Sequence, residues 1–352
     1  MTNSPLKILS FGAGAIGTYV GGSLALDGHD VVYVERPQIA ETLNKRGLRL
    51  DLSLDARRET SAADLLPAAN LVFADTLERA LDYGPFDVAL FALKSYDTES
   101  ALEGIAPFAE KMPPVLCLQN GIDNEPAIAK VLGPEKVISG TVTSAIGKRD
   151  AGDIVLEKLR GIGIANEHPL AEKLVEAMNA AFLNAELYNR AADMKWSKML
   201  TNLVGNATSA ILDMSPTEIF GRKDLYVFEM RMLKEALLVM EAQNIKVVNL
   251  PGTPVKLLAF AANAPAWLRP LAAKKLGGGR GGKMPSFHID LHSGRGKSEV
   301  DYLNGAIVRA GKKTNIPTPI NLLLSETLEA MTKHEISAES YAKKPLKLLE
   351  SV

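Results

Sequence analysis

Lys7-Ile8-Leu9-Ser10-Phe11 runs straight into Gly12-Ala13-Gly14-Ala15-Ile16-Gly17. The apolar run reads as a buried strand. The segment Ala15–Leu26 is compatible with a helix, and a second strand, Asp30–Val34, follows and ends at Glu35-Arg36. A lone G-x-G-x-x-G is weak evidence, because glycines also mark ordinary tight turns. Inside a strand–turn–helix–strand unit each glycine has a separate task. Gly12 permits the turn, Gly14 lets the backbone approach a pyrophosphate, and Gly17 lets the helix pack closely on the strand. The helix start then offers N–H groups and a partial positive charge to phosphates. Gly12, Ala13, Gly14, Ala15, Ile16 and Gly17 are therefore candidate dinucleotide-binding residues, and the charged pair lies where the ribose belongs.

Outward from this unit the strand–helix rhythm continues. Phe86–Leu93 is an apolar run ending at Lys94, and Pro114–Leu118 is another, ending at Gln119-Asn120-Gly121; Thr98–Lys111 between them is helix-compatible. Parallel sheets bind ligands beyond the carboxyl ends of their strands, which makes Lys94 and Asn120 candidates. The plainer readings are a solvated loop lysine and an Asn-Gly turn. Lys136–Ile164 reads as extended pieces with turns at Gly147–Gly152 and Arg160-Gly161. From Pro169 the pattern turns helical, over Pro169–Leu183, Asn189–Leu212, Asp224–Gln243, Ser298–Gly311 and Ile320–Lys333. This shift predicts an α/β chain: a Rossmann-type parallel-sheet domain over 1–188, then an all-helical domain over 189–352 that carries substrate-binding and catalytic groups.

Composition bounds the function classes. With 40 Lys+Arg against 41 Asp+Glu, the chain has no basic excess to attract nucleic acid or a membrane surface. The single cysteine, Cys117, lies in an apolar run and reads as a small buried hydrophobe. No disulfide framework is available and no secretory leader is visible, so a reducing cytoplasm is the expected compartment. No run approaches the ~20 apolar residues of a membrane span.

Pro251–Pro285 is unusual. It holds a proline-interrupted apolar stretch, Leu257–Ala273 with Trp267, followed by the glycine cluster Gly277–Gly282. A lid, a homodimer contact or an added helical pair are the readings it admits. Gly277-x-x-x-x-Gly282-Lys283 has the outline of a phosphate loop, but Met284 stands where a magnesium-binding Ser or Thr belongs and no strand precedes it. A flexible hinge is the preferred reading.

Lys198, Asn202 and Asn206 are spaced by four, which on a helix places them on one face with a drift of about 40° per step. One ammonium and two amides suit a small carboxylated, hydroxylated substrate; spacing alone favours a solvated polar stripe. Glu299 follows a plausible N-cap, Ser298, and on its own terms only complements a helix dipole. His288-Ile289-Asp290-Leu291-His292 has metal-binding residue types but is an isolated cluster without a matching fourth ligand, so no metal is expected.

These segments, taken in order, resemble the ketopantoate reductase (2-dehydropantoate 2-reductase) family. The likeness rests on Gly12–Gly17, Leu93-Lys94-Ser95, Gln119-Asn120-Gly121, the Lys198/Asn202/Asn206 ladder and Ser298-Glu299-Val300-Asp301-Tyr302-Leu303-Asn304-Gly305, and it covers nearly the whole chain. The ladder and the last segment are the specific part. The resemblance implies that Lys198 is the general acid and that Glu299 orients it or contacts substrate and cofactor. It implies that Asn120, Asn202, Asn206 and Ser286 bind substrate, with Asn120 between cofactor and substrate, and that Lys94 contacts the cofactor. Two departures stand out: the long 251–285 segment, and Glu35 beside Arg36 where the family often has a small residue.

The reaction expected is NADPH-dependent reduction of a 2-keto acid, ketopantoate to pantoate, in a cleft between the domains. Arg36 can pair with a ribose 2′-phosphate and Lys94 adds a second positive charge. Glu35 would have to rotate away, and it keeps NAD open as an alternative. Two other functions fit the same residues: reduction of a bulkier 2-keto acid, and a non-catalytic redox sensor that binds NAD(P) without turnover.

Overall fold

The computed structural model describes residues 4–58, 64–67, 71–264 and 283–351. The chain divides into two compact units. The first comprises Met1–Gln119, Asp123–Lys195 and Leu250–Thr253; the second comprises Asn120–Ile122, Trp196–Asn249 and Pro254–Val352.

The first unit is built on strands β1 (Lys7–Phe11), β2 (Asp30–Val34), β3 (Leu48–Asp51), β4 (Asp64–Leu66), β5 (Val72–Ala74), β6 (Val88–Phe91), β7 (Val115–Cys117), β8 (Val137–Val142), β9 (Ala145–Asp150), β10 (Asp153–Lys158), β11 (Ile162–Ala165) and β12 (Ala185–Tyr188). Among the described residues the main sheet runs β12-β11-β8-β7-β6-β1-β2-β5, parallel at every step except the β8–β11 pair. From β5 to β8 this is the doubly wound order, with its reversal between β1 and β6.

Successive residues of a strand face opposite sides of a sheet, and here both sides are buried. Ile8, Tyr33, Leu90 and Leu116 enter one core, while Leu9, Val32, Phe91 and Cys117 enter the other. Helices α1 (Ala15–Leu26), α2 (Pro37–Arg46), α3 (Leu77–Leu81), α4 (Thr98–Ile105), α5 (Asn124–Leu132) and α6 (Ala171–Ala180) connect the strands. The smaller sheet, β4-β3-β10-β9, pairs β3 in parallel with β10. The turn expected at Gly147–Gly152 is narrower: Gly147 lies inside β9, and the reversal falls at Ala151-Gly152.

The second unit is helical. Helix α7 (Ala191–Leu203) starts in the first unit and ends in the second. It is followed by α8 (Ala207–Leu212), α9 (Pro216–Gly221), α10 (Lys223–Ala242), α11 (Val255–Ala262), α12 (Ser286–His292), α13 (Ala306–Thr314), α14 (Pro319–Thr332) and α15 (Pro345–Leu349). Three helices differ from the sequence expectation. Thr98–Lys111 is α-helical only to Ile105 and then tightens to a 3₁₀ turn over Ala106–Lys111, which contains Pro107. The helix expected over Asn189–Leu212 breaks between α7 and α8, where Gly205 takes φ +61°. The helix expected from Ser298 opens instead with a wide π-type turn, Asp301–Gly305, ahead of α13.

In the unusual segment, α11 leaves Leu257 and Phe260 exposed. Trp267, the rest of the apolar stretch and the glycine cluster lie outside the described residues. Among the described residues no helix is long and apolar enough to cross a membrane.

Candidate functional site

In the first unit the glycine loop sits between the end of β1 and the start of α1. Gly12 has φ +86°, a backbone conformation that disfavours a side chain. A Cβ at Gly17 would overlap the Gly12 carbonyl oxygen, so glycine there is what allows α1 to approach the strand end. A Cβ at Gly14 would meet nothing within 4 Å. Gly14 is also the N-cap of α1 and provides no side-chain cap, which leaves first-turn N–H groups without an intrahelical acceptor. The loop thus has an open approach at Gly14 and close packing at Gly17, and it fits a dinucleotide pyrophosphate.

Ala13 has a different part. Its N–H donates to Glu35 Oε1 at 2.5 Å and its carbonyl accepts from Gly152 N at 2.9 Å. Both backbone polar groups of this residue are therefore committed inside the protein. The second Glu35 oxygen accepts the Arg36 N–H at 3.1 Å. Rotating the carboxylate away therefore has to break a bond to the loop. The Arg36 side chain is exposed. It follows β2 and Lys94 follows β6, the two neighbours of β1.

A buried polar network ties the ends of β6 and β7 together. Gln119 Nε2 donates to the Leu93 carbonyl at 3.0 Å and to Thr98 Oγ1 at 2.9 Å; Thr98 Oγ1 donates to Asn124 Oδ1 at 2.9 Å. Lys195 adds a contact that spacing did not reveal. Its buried Nζ donates to the Gln119 carbonyl at 2.7 Å, lies 2.7 Å from Glu125 Oε1 and reaches the Gly140 carbonyl at 3.3 Å. Burial alone would pull this ammonium down, but the Glu125 carboxylate opposes burial and the net direction is up. Cys117 is buried beside this network, and burial pushes its thiol up, which leaves it inert as a nucleophile.

In the second unit four of the candidate residues form one hydrogen-bonded chain. Asn202 Nδ2 donates to Asn120 Oδ1 at 3.0 Å. Asn206 Nδ2 donates to the Asn202 carbonyl at 3.0 Å and to Ser286 Oγ at 3.3 Å. Asn206 Oδ1 accepts the Phe287 N–H at 3.1 Å, which caps the start of α12. Lys198 is half-buried one helical turn before Asn202. Glu299 is buried immediately ahead of the π-type turn, and its carbonyl accepts the Leu303 N–H at 3.1 Å.

The helix break makes Asn206 the N-cap of α8 rather than a third rung on one helix. Glu229, fully buried on α10, holds the break: its Oε2 accepts the Gly205 N–H at 2.7 Å and its Oε1 accepts the Thr208 hydroxyl. Sequence reasoning missed Glu229. The readable signal was Gly205 itself, a helix breaker inside the ladder.

Two family profiles match the chain. The profile of the ketopantoate reductase PanE/ApbA family matches residues 8–166, and the profile of its C-terminal part matches residues 190–332. The chain belongs to the ketopantoate reductase family. A 2-dehydropantoate 2-reductase of Pyrococcus horikoshii is 28% identical over 330 residues, covering 92% of this chain and 97% of the relative. One of Lactococcus lactis is 25% identical over 331 residues, covering 89% and 94%. A PanE/ApbA family ketopantoate reductase from Ralstonia eutropha JMP134 superposes with a TM-score of 0.77 at 25% identity, over 94% of this chain and 99% of that one. A D-mandelate dehydrogenase solved with NADH and anilino(oxo)acetate shares the fold at a TM-score of 0.73 and 22% identity, over 94% and 99% of the two chains. Ketopantoate reductase family members are oxidoreductases acting on small keto acids.

Proposed function

We propose that this chain reduces a 2-keto acid to the 2-hydroxy acid with NADPH, and that ketopantoate is the substrate. The observation that carries the reading is the Asn120–Asn202–Asn206–Ser286 chain, with Lys198 one turn from Asn202, in a member of the ketopantoate reductase family.

Gly14, Ala15 and Ile16 would hold the cofactor pyrophosphate through backbone N–H groups, with Arg36 and Lys94 as cations for the ribose 2′-phosphate. A reduced nicotinamide supplies the hydride when bound. The protein's part is position and charge. The Asn202 amide and the Ser286 hydroxyl suit the keto acid's carboxylate and hydroxyl groups, and Asn206, whose amide donors are engaged, holds Ser286 in place for them. Asn120, fixed by Asn202, is the residue assigned to both cofactor and substrate. The Lys198 ammonium stabilises charge as it develops on the carbonyl oxygen and then gives that oxygen its proton. Glu299 orients the ammonium.

Two observations support further readings. The bond from Ala13 to Glu35 leaves a carboxylate at the ribose end of the loop, which favours NADH. The shared fold with a D-mandelate dehydrogenase, together with the exposed Leu257 and Phe260 on α11, favours a bulkier substrate. A steady-state screen of 2-keto acids, each with NADPH and with NADH, tests all three. Highest kcat/KM for ketopantoate with NADPH is the expected outcome. A higher value with NADH, or for a larger keto acid, replaces the corresponding part. Cofactor binding without turnover of any keto acid would support the sensor reading instead.

A further inference from the structure

His288 and His292 are four residues apart on α12, so both imidazoles lie on one face of the helix, roughly opposite Ser286 and Asp290. The ligand that the sequence did not offer comes from 75 residues upstream. Asp213, the residue that ends α8, takes the left-handed conformation with φ 49° and ψ 46°, which Asp tolerates better than most residues. The preceding carbonyl, of Leu212, accepts the Lys343 N–H at 2.7 Å, which holds this corner in place. Asp213 Oδ1 lies 2.9 Å from His288 Nε2, and the two imidazole rings have centroids 4.2 Å apart. One ligand atom from each of Asp213, His288 and His292 falls within 4.8 Å of the others.

We propose that Asp213, His288 and His292 form a binding site for a divalent transition-metal ion of the zinc type. Two imidazole nitrogens and one carboxylate oxygen are a borderline-soft donor set. It suits Zn²⁺ and its neighbours and disfavours Mg²⁺ and Ca²⁺, which take oxygen ligands. Tetrahedral ligation at about 2.0–2.1 Å needs ligand atoms about 3.4 Å apart, a modest closing from the observed spread that side-chain torsions at Asp213 and His292, both exposed, can supply. Three protein ligands leave one position to water. The ion would fasten the C-terminal end of α8 to α12. Those are the two helices whose opposite ends or faces carry Asn206 and Ser286, so it would brace the amide chain without touching a reactant.

The test is calorimetric titration of the full-length, untagged protein with ZnCl₂, with thermal melts run in parallel. One Zn²⁺ per chain is expected, with a rise in melting temperature. His292→Ala and Asp213→Asn, both at exposed positions, should each weaken binding by roughly tenfold or more and remove the thermal rise. Their metal-free melts should match the parent, which separates loss of a ligand from loss of fold. Absence of saturable Zn²⁺ binding would overturn the proposal, and so would binding of unchanged affinity in both variants. The readout is independent of turnover, so neither result depends on the substrate assignment.

Discussion

Glu229 Oε2 accepts the Gly205 N–H at 2.7 Å, at the break between the helix that carries Asn202 and the one that Asn206 caps. Its other oxygen takes the Thr208 hydroxyl. The buried carboxylate thus joins α10 to the turn between Asn202 and Asn206. Glu229→Ala leaves a buried N–H and a buried hydroxyl unsatisfied, each costing ~1–3 kcal/mol. Urea denaturation is expected to show a loss in that range or above, with a rise in substrate KM. A variant of parental stability would mean that the break holds itself.

Lys198→Met tests the proton donor. General-acid catalysis by a positioned side chain contributes ~10²–10⁴-fold, and kcat is expected to fall by that factor. Cofactor Kd, read by fluorescence titration, should stay near the parental value, because the glycine loop is untouched. A folded variant with near-parental turnover would reduce the ladder to a polar helix face.

Asn202→Ala and Asn206→Ala should separate. Asn202 bonds one neighbouring side chain, Asn120, so its loss should act mainly on KM. Asn206 also caps α12 through the Phe287 N–H. Its removal should raise KM and also lower stability by ~1–3 kcal/mol. Equal stability of the two variants, measured by thermal melts, would contradict this division.

Arg36→Ala should lower kcat/KM for NADPH far more than for NADH, since only the former carries a 2′-phosphate for the guanidinium to pair with. Glu35→Gln should move the ratio the other way, toward NADPH, by removing a like charge from that phosphate. An Arg36→Ala enzyme with an unchanged cofactor ratio would remove Arg36 from recognition.

Glu218 gives acid stability a marker. Glu218 accepts the Ser215 N–H and hydroxyl in the capping box at the start of α9 and also contacts Lys343, and its carboxyl is held down at about 2. A carboxyl lowered from an ordinary ~4.3 contributes stability above that value and loses it as pH falls toward the folded-state value. The melting-temperature gap between the parent and Glu218→Gln should therefore be full at pH 6, shrink below about pH 4.5 and close near pH 2. Because the site is exposed, the gap should be small. A gap that does not change with pH would assign the effect to shape rather than charge.

Much of the first unit was legible because its signals are local. Lys7–Phe11, Ala15–Leu26 and Asp30–Val34 are continuous runs whose ends are marked by glycines or charge, and all three elements have those bounds in the structure. The ladder was legible as spacing, but its break was not, because a four-residue repeat continues across Gly205 while the backbone does not. The roles of Glu229, Lys195 and Asp213 were hidden for a different reason. Each acts on a partner far away in sequence, and no period or motif records that a buried carboxylate on α10 faces a turn 24 residues earlier. The place of Glu35 just after β2 suggests a ribose neighbour; its bond to the glycine loop depends on the chain folding back and leaves no local mark.

Leu250–Thr253 belongs to the first unit although the preceding residues from Trp196 onward do not. Thr143 Oγ1 donates to the Pro251 carbonyl at 2.8 Å, and Gly161 lies against the Pro251 ring. During synthesis, therefore, the first unit emerges almost whole by Lys195 but waits for its last piece until residue 253 has been made. A fragment ending at Lys195 should unfold at lower denaturant than the same unit in the intact chain, and a second fragment supplied separately would have to bring those four residues back. The order in which a ribosome releases this chain is thus not the order in which its two units can be finished.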